Sequence, residues 1–372
     1  MHYTNSRNKI EQLLDFADIK IGGDRSWDLQ VHNDDFYTRL LAEGLLGLGE
    51  SYMEGWWDCD RLDEFFHRIL QAELYTKIKP RTEFLKVLKY KLFNPQKPSR
   101  AFQIGQQHYD IGNNLYRYML GKRLIYSCGY WKNASTLDEA QEAKLDLVCR
   151  KLGLRPGMRV LDIGCGWGGT AKFVAERYEV EVVGITVSEK QVRFGKEFCQ
   201  GLPIDIRLQD YRSLKGTFDC ILSLGMFEHV GYKNYGTFFR VVNRCLKDNG
   251  LFLLHTIGIN LSVTRINPWL ERYIFPNYMV PSAKQICANI EGMFVLEDWH
   301  NFGADYDKTL MHWFRNFHEK WDLIRRDYDD RFYRMWKYYL LSCAGSFRAR
   351  KNQLWQIVFT ANGLPGGYRS LR

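Results

Sequence analysis

The chain has 372 residues, a formal net charge of +9 at pH 7 and an aromatic content of 15%. Its length predicts two or three domains, and no apolar run approaches the ~18 residues of a membrane span. The charge favours an anionic partner, either nucleic acid or an anionic membrane surface, although an ordinary basic soluble protein carries a similar charge.

The nine cysteines form no C-x-x-C pair and no Cys/His cluster with zinc spacing, so no metal site is expected. The N-terminal residues do not resemble a signal peptide. The sequence therefore predicts a reduced, cytoplasmic protein whose contact with any membrane is peripheral.

Residues 1–90 are predicted to form a smaller, mainly helical domain. Amphipathic patterns indicate helices over 9–19, 34–45 and 61–74. Gly47 and Gly49 are interpreted as interrupting the helical pattern. A basic stretch follows, and its Pro-containing end predicts a linker over 91–105. The basic stretch is read as a solvated face, with lipid-headgroup contact as the alternative.

Residues 106–372 are predicted to form a larger α/β domain. A helix over 137–152 precedes alternating strands and helices from 159 to 256. Such alternation indicates parallel βαβ units in an open sheet, whose ligands bind at the carboxyl ends of the strands. A long helical stretch over 310–348 and a last strand at 354–359 follow.

A glycine loop follows the first strand of this domain. Gly164, Gly166 and Gly169 satisfy G-x-G-x-x-G, which alone is a weak signal and also fits a turn that only packs strand on helix. A dinucleotide site would need an acid at the end of the next strand, where Thr186 stands instead. Asp162 would repel a pyrophosphate, but it suits the ammonium and sulfonium of S-adenosylmethionine.

Polar groups also follow the later strands. Glu228 ends the fourth strand, His255 ends the fifth, and Tyr306 follows the sixth. Each has a structural explanation when taken singly, such as a helix cap or a core histidine. Together, on a methyl-donor fold, they indicate a catalytic site. The Asn/Asp-Pro-Pro-Tyr/Phe motif of nucleobase methylation does not follow the fourth strand.

Several of these motifs together resemble the cyclopropane-fatty-acyl-phospholipid synthases, and mycolic acid cyclopropane synthases share much of the second domain. The similar stretches are YSCGYW at 126–131, LDIGCGWGG at 161–169, GMFEHVG at 225–231, LHTIG at 254–258, FGADY at 302–306, GLGESYM at 47–53 and GWW at 55–57. The resemblance implies a Rossmann-like class I methyltransferase sheet with helical insertions.

The resemblance also implies the reaction. A cis double bond attacks the methyl group of S-adenosylmethionine, and the resulting carbocation closes to a cyclopropane ring when a bound bicarbonate removes a proton. Tyr, Phe and Trp faces could stabilise the cation. The implied holders of bicarbonate are the Cys128 backbone N–H, the Glu228 and His255 side chains, the Ile257 carbonyl and the Tyr306 hydroxyl.

A further set of residues is implied to contact the cofactor. These residues are Tyr126, Ser127, Asp162, Gly164, Cys165, Gly166, Trp167, Gly168, Thr186, Ser188, Gln191, Gln209, Asp210 and Tyr211. Cys343 resembles another recurrent family cysteine. It is included among the candidate catalytic residues, although methylene transfer needs no thiol and packing explains it as well.

The leading hypothesis is a homodimeric enzyme bound peripherally to the cytoplasmic face of a phospholipid bilayer, with no nucleic-acid partner. Two alternatives remain open: an O- or N-methyltransferase of a small amphipathic molecule, and a non-catalytic lipid-binding protein. A nucleic-acid methyltransferase would fit the charge but lacks the expected motif.

Overall fold

The computed structural model of the chain describes residues 2–77, 113–263 and 267–372, so the predicted linker at 91–105 lies outside the described residues. The described residues fall into two compact units. The first contains 2–77, 267–276 and 306–352, and the second contains 113–263, 277–305 and 353–372. The units are thus built from alternating segments of the chain, whereas the sequence predicts two contiguous domains.

The described helices, in chain order, are α1 (His2–Asp15), α2 (Asp35–Glu43), α3 (Leu45–Met53), α4 (Leu62–Gln71), α5 (Leu74–Lys77), α6 (Asn113–Leu120), α7 (Leu137–Lys151), α8 (Gly169–Tyr178), α9 (Glu189–Phe198), α10 (Tyr235–Cys245), α11 (Pro268–Tyr273), α12 (Ala283–Ile290), α13 (Ala304–Glu319), α14 (Trp321–Ile324) and α15 (Asp330–Arg348). Among the described residues, no helix is both long enough and apolar enough to cross a bilayer.

The strands are β1 (Gln30–Val31), β2 (Trp57–Asp58), β3 (Arg159–Ile163), β4 (Glu181–Thr186), β5 (Ile204–Leu208), β6 (Phe218–Leu224), β7 (Leu246–Ile259), β8 (Val295–Asn301) and β9 (Asn352–Thr360). β1 and β2 pair antiparallel in the first unit. The other seven form one sheet in the order β5-β4-β3-β6-β7-β9-β8.

Helices α4 and α15 pack closely in the first unit. A Cβ added at Gly345 would lie 2.6 Å from the Asp63 carbonyl oxygen, so the close approach requires glycine. Arg348 donates to the buried Asp63 carboxylate at 2.7 Å, which compensates the burial of that charge. The segment 330–348 therefore belongs with the first helices of the chain.

The interpretation of Gly47 and Gly49 as helix breakers is wrong. Both lie inside α3, and both are buried. A Cβ at Gly49 would overlap the Trp269 indole, and one at Gly47 would crowd the Arg39 carbonyl. The glycines permit close packing of α3, and this tertiary contact outweighs their low helix propensity.

The predicted long helix over 310–348 is instead three helices. α13 ends at Glu319, and α15 begins after Asp329, whose carboxylate accepts from the Phe332 N–H at 2.7 Å. An acidic N-cap satisfies the free N–H groups of a new helix start, so the chain begins a separate helix there.

The predicted parallel sheet of the second unit is confirmed. β3 pairs parallel with β4 and β6, β4 with β5, and β6 with β7, while β8 and β9 pair antiparallel. Successive residues of β3 enter opposite faces: Val160 lies in one apolar cluster and Leu161 in the other. Each fully buried aliphatic or aromatic side chain stabilises such a core by about 1.5–3 kcal/mol.

Candidate active site

A cavity of about 170 Å³ lies at the carboxyl ends of β3, β4 and β6, where an open parallel sheet is expected to bind ligands. Twelve of the fourteen predicted cofactor residues line it. They are Tyr126, Ser127, Asp162, Gly164, Cys165, Gly166, Trp167, Thr186, Gln191, Gln209, Asp210 and Tyr211. The other two, Gly168 and Ser188, start α8 and α9 as their N-caps.

The glycine loop brings its backbone to the cavity through positive φ angles. Gly166 has φ +55°, and a Cβ placed there would meet only open space within 4 Å. Gly164 has φ +91°, and a Cβ there would collide with Met226. A side chain at either position is strained, and one at Gly166 would also project into the space that a ligand needs.

Asp162 lies at the floor of this cavity. It is 2% exposed, and its Oδ2 has no hydrogen-bond partner among the described residues. Burial raises the pKa of Asp162 to about 7, and the nearby charge of Lys144 opposes that rise. A buried carboxylate oxygen without a protein partner suits a ligand that brings an ammonium or a hydroxyl donor.

The end of β4 carries a preformed polar network. The Thr186 hydroxyl donates to Gln191 Oε1 at 2.7 Å, and Ser188 Oγ accepts from the Gln191 backbone N–H at 3.3 Å. The Asp210 carboxylate pairs with Arg212 at 2.8 Å. Hydroxyl, amide and carboxylate groups thus ring the cavity, as the ribose and amino-acid parts of a cofactor require.

Glu228 lies in a short 3-10 turn, Phe227–His229, directly after β6. Its Oε1 accepts from the Ile257 backbone N–H at 2.7 Å, whereas its Oε2 has no partner among the described residues. Burial raises the pKa of Glu228 to about 7, so near neutral pH the carboxyl exists in both protonation states. Glu228 and Ile257, both predicted site residues, are therefore in contact.

His255 stands on β7 opposite Leu224 of β6 and is completely buried. Its Nδ1 lies 3.4 Å from Nε2 of Gln356, and its own Nε2 has no partner among the described residues. Burial, helped by the charges of Lys144 and Lys151, lowers the pKa of His255 well below its ordinary value. The imidazole is therefore neutral at physiological pH.

The remaining predicted catalytic residues are placed differently. Cys128 is buried beside the cavity-lining Ser127, and its thiol donates to the Gly129 carbonyl at 3.1 Å. Tyr306 and Cys343 belong to the first compact unit. There the Tyr306 ring packs 4.5 Å from that of Phe347. Burial raises the pKa of Cys343 to about 12, so its thiol is protonated at neutral pH and is a weak nucleophile.

Sequence reasoning missed two polar residues behind the cavity, Gln141 and Lys144, which are 1% and 0% exposed. Both side chains bond to Ser127. Gln141 and Lys144 are three residues apart on α7, as are Leu145 and Val148 on its buried face. This spacing is the signal from which the sequence could have predicted their burial. His229 was noted only as part of a motif, and it lines the cavity.

Comparison with known proteins agrees with this geometry. The family model described as mycolic acid cyclopropane synthetase matches residues 96–357. The chain is 52% identical to the cyclopropane-fatty-acyl-phospholipid synthase of Escherichia coli (strain K12) over 362 residues, covering 97% of this chain and 94% of that protein. It is 34% identical to cyclopropane mycolic acid synthase 2 of Mycobacterium leprae, covering 68% and 92% of the two chains.

A solved structure gives the corresponding result for the fold. A mycolic acid cyclopropane synthase complexed with SAH and CTAB superposes with a TM-score of 0.66 and 31% identity, over 69% of this chain and 97% of that one. The mixed seven-stranded sheet with its glycine loop is thus the class I S-adenosylmethionine-dependent methyltransferase fold, and the chain belongs to the mycolic acid cyclopropane synthetase family of enzymes.

Proposed function

We propose that this enzyme transfers a methylene group from S-adenosylmethionine to the cis double bond of unsaturated phospholipid acyl chains. The observation that carries the proposal is the nearly full-length similarity to cyclopropane-fatty-acyl-phospholipid synthase. The similarity extends through both compact units, so it is not limited to the methyltransferase sheet that many other enzymes share.

The cavity residues fit S-adenosylmethionine, which supplies the methyl carbon when bound. Asp162 offers a buried carboxylate oxygen that no described residue satisfies. Gly166 leaves open space beside the backbone. Thr186 and Gln191 present hydroxyl and amide groups at the end of β4. A cationic, phosphate-free cofactor matches this set better than a dinucleotide does.

We further propose that Glu228 and His255 hold bicarbonate, which supplies the base when bound. Each places one buried polar atom without a partner among the described residues near the end of β6 or β7. Because the Glu228 pKa is about 7, its carboxyl can donate a hydrogen bond to an anion or take up a proton. A neutral His255 whose Nδ1 accepts from Gln356 would offer Nε2–H as a donor.

Apolar groups around His255 support the exclusion of water, which would otherwise add to a cation on the acyl chain. The Phe302 ring lies 5.9 Å from the imidazole, and the Tyr130 ring lies 5.2 Å from that of Phe302. A low local dielectric also strengthens any hydrogen bond that Glu228 or His255 makes. Tyr306 as a further holder of the anion remains a prediction.

We also propose that the enzyme binds the bilayer surface peripherally. The net charge of +9 favours anionic headgroups, and the side chains of Leu261 and Val263, just beyond β7, are 74% and 37% exposed. Exposed apolar side chains on a protein of positive net charge favour contact with an anionic membrane interface. The cytoplasmic location and the homodimer stay predictions.

The test is mass spectrometry of acyl chains after incubating the purified protein with S-adenosylmethionine, bicarbonate and vesicles of cis-unsaturated phospholipid. We expect a gain of one CH₂ and loss of the double bond, with no change in vesicles of saturated phospholipid. Omitting bicarbonate should slow the reaction. A folded protein that binds the cofactor but leaves the acyl chains unchanged would refute the proposal and favour a small amphipathic methyl acceptor.

A further inference from the structure

Helix α7 buries two lysines, Lys144 and Lys151, and only one of them has a carboxylate partner. Lys151 Nζ lies 3.3 Å from the Asp298 carboxylate. Lys144, with no exposed side-chain surface, makes no ion pair within 4 Å in the part of the chain that the structure describes. Burial therefore lowers the pKa of Lys144 to about 7, so the side chain occupies a site that disfavours its charge, and its retention calls for a physical reason.

The observed partner of Lys144 is Ser127. Lys144 Nζ donates to Ser127 Oγ at 3.0 Å, and Gln141 Nε2, one turn earlier, donates to the Ser127 carbonyl at 2.7 Å. The Tyr130 backbone N–H donates to the Ala140 carbonyl at 2.8 Å. Three hydrogen bonds therefore fasten the segment 127–130 to one face of α7.

The fastened segment forms a wall of the cofactor cavity. Ser127 lines the cavity together with Tyr126, and Gly225, at the end of β6, lies beside Ser127 on the same wall. A shift of Ser127 would move the neighbouring Cys128 backbone as well. Binding sites lose affinity when their wall is displaced by a fraction of an ångström, so a rigid support behind the wall is functionally useful.

The charge of Lys144 also acts inside the cavity. It opposes the rise in the Asp162 pKa that burial causes, which means that it favours the ionised carboxylate. Lys144 thus acts on the cofactor site through the hydrogen bond that fixes Ser127, and in its protonated form it also favours the ionised Asp162 carboxylate.

We infer that Lys144 is a positioning residue for the cofactor site, acting through Ser127 with Gln141 as its neighbour. The inference rests on the proposed function for the identity of the cofactor. It does not depend on the lipid substrate or on bicarbonate, because fixing Ser127 precedes any chemistry.

The test is a double-mutant cycle on Lys144→Met and Ser127→Ala, with S-adenosylhomocysteine affinity measured by calorimetry. Loss of the Lys144–Ser127 hydrogen bond should weaken binding by about tenfold in Lys144→Met. The double variant should bind about as weakly as Lys144→Met alone, since both changes remove the same hydrogen bond. Additive losses would overturn the coupling between the two residues.

The matched control is Lys151→Met, which removes a second buried cation from the same helix. We expect it to retain affinity within about twofold, because its partner Asp298 keeps an ion pair with Arg372 at 2.7 Å. Equal losses in Lys144→Met and Lys151→Met would indicate a general effect on α7 and refute the inference. Where Lys144→Met fails to fold, Ser127→Ala decides: unchanged affinity there refutes the inference.

The failures of the two proposals are distinguishable. Wild-type protein that does not bind S-adenosylhomocysteine would refute the proposed cofactor. Wild-type protein that binds it, alongside a folded Lys144→Met variant that binds equally well, would refute only the role of Lys144.

Discussion

Polar side chains on the glycine-loop side of the sheet have different surroundings from the side chains of Glu228 and His255. Beside the loop, Thr186, Ser188 and Gln191 bond to one another, and Thr186, Gln191 and the partly unpaired Asp162 line the cavity. Glu228, just after β6, and His255, within β7, are buried and do not line the cavity, and each keeps one side-chain atom without a partner among the described residues.

This difference is the one expected between the wall of a cavity for a large, exchangeable ligand and the proposed holders of a small anion. A preformed hydrogen-bond network keeps the wall of an open cavity in shape whether or not a ligand is present. Buried polar atoms are almost always satisfied, so the two orphaned atoms of Glu228 and His255 support the proposal that a small partner from outside the protein binds them.

Gly166→Val should have the largest effect on the cofactor side. The valine side chain would project into the cavity from a residue with φ +55°, so S-adenosylhomocysteine affinity should fall by more than about 100-fold. The matched control is Gly201→Val, because Gly201 has φ +84° and open space around it but does not line the cavity. Equal affinity in both variants would contradict the assignment of the loop.

Glu228→Gln should separate the two regions most sharply. The amide keeps the shape of the side chain but cannot accept a proton, so turnover should fall by about 10²–10⁴-fold. S-adenosylhomocysteine binding should stay near the wild-type value, because Glu228 does not line the cavity. Steady-state kinetics with vesicles would measure turnover, and calorimetry would measure S-adenosylhomocysteine affinity. A variant with normal turnover would remove Glu228 from the proposed chemistry.

Much of the cofactor side could be predicted because its signals are local in sequence. A parallel strand, a glycine loop and a helix follow one another in β3, the loop and α8, and the period of apolar residues changes at each step. The same alternation predicted β3 to β6 at positions close to those observed, whereas β7 runs from Leu246 to Ile259 and extends past the predicted end of the alternation at 256.

The rest depended on contacts between distant segments. Gly49 stays helical because it packs on Trp269, 220 positions later, and no local pattern contains that information. The helical spacing places Lys144 on the buried face of α7, but the sequence does not show that Ser127 is its hydrogen-bond partner. Likewise, Glu228 and Ile257 meet only because β6 and β7 are neighbours in the sheet.

The same Glu228→Gln variant should change the pH dependence of stability. The folded-state pKa of about 7 exceeds the ordinary value of 4.5, so between these pH values the unfolded chain releases a proton that the folded protein keeps. The free energy of unfolding of the wild type therefore falls as pH rises from 4.5 to 7 and stays lower above 7. Glutamine does not titrate, so the free energy of unfolding of the Glu228→Gln variant lacks this fall with pH.

Thermal unfolding of the wild type and of Glu228→Gln from pH 4 to pH 8 would measure this difference in stability. The Tm of Glu228→Gln relative to wild type should rise with pH by a few degrees and level off above pH 7. The exposed Glu291, changed to Gln, is the control and should give a difference that does not follow this course. A constant Tm difference for Glu228→Gln would mean that the carboxyl is not held protonated by burial.

Leu261→Asp should have the smallest effect, and it tests whether the end of β7 meets the lipid. Leu261 lies two residues beyond β7, which carries His255 and Ile257, and its side chain is 74% exposed. Removing its contact with acyl chains should weaken binding to anionic cis-unsaturated vesicles by about fivefold. Cosedimentation would measure this, while S-adenosylhomocysteine affinity should not change because Leu261 does not line the cavity.

The matched control is Leu323→Asp, because Leu323 on α14 is 57% exposed and the substitution adds the same charge. A larger loss at Leu261 than at Leu323 would mean that a specific apolar contact, rather than general repulsion, brings the end of β7 to the bilayer. Equal losses of vesicle binding in the two variants would mean that the added negative charge alone causes the effect. In that case the proposed acyl-chain substrate would have to reach Glu228 and His255 from a direction other than that of Leu261.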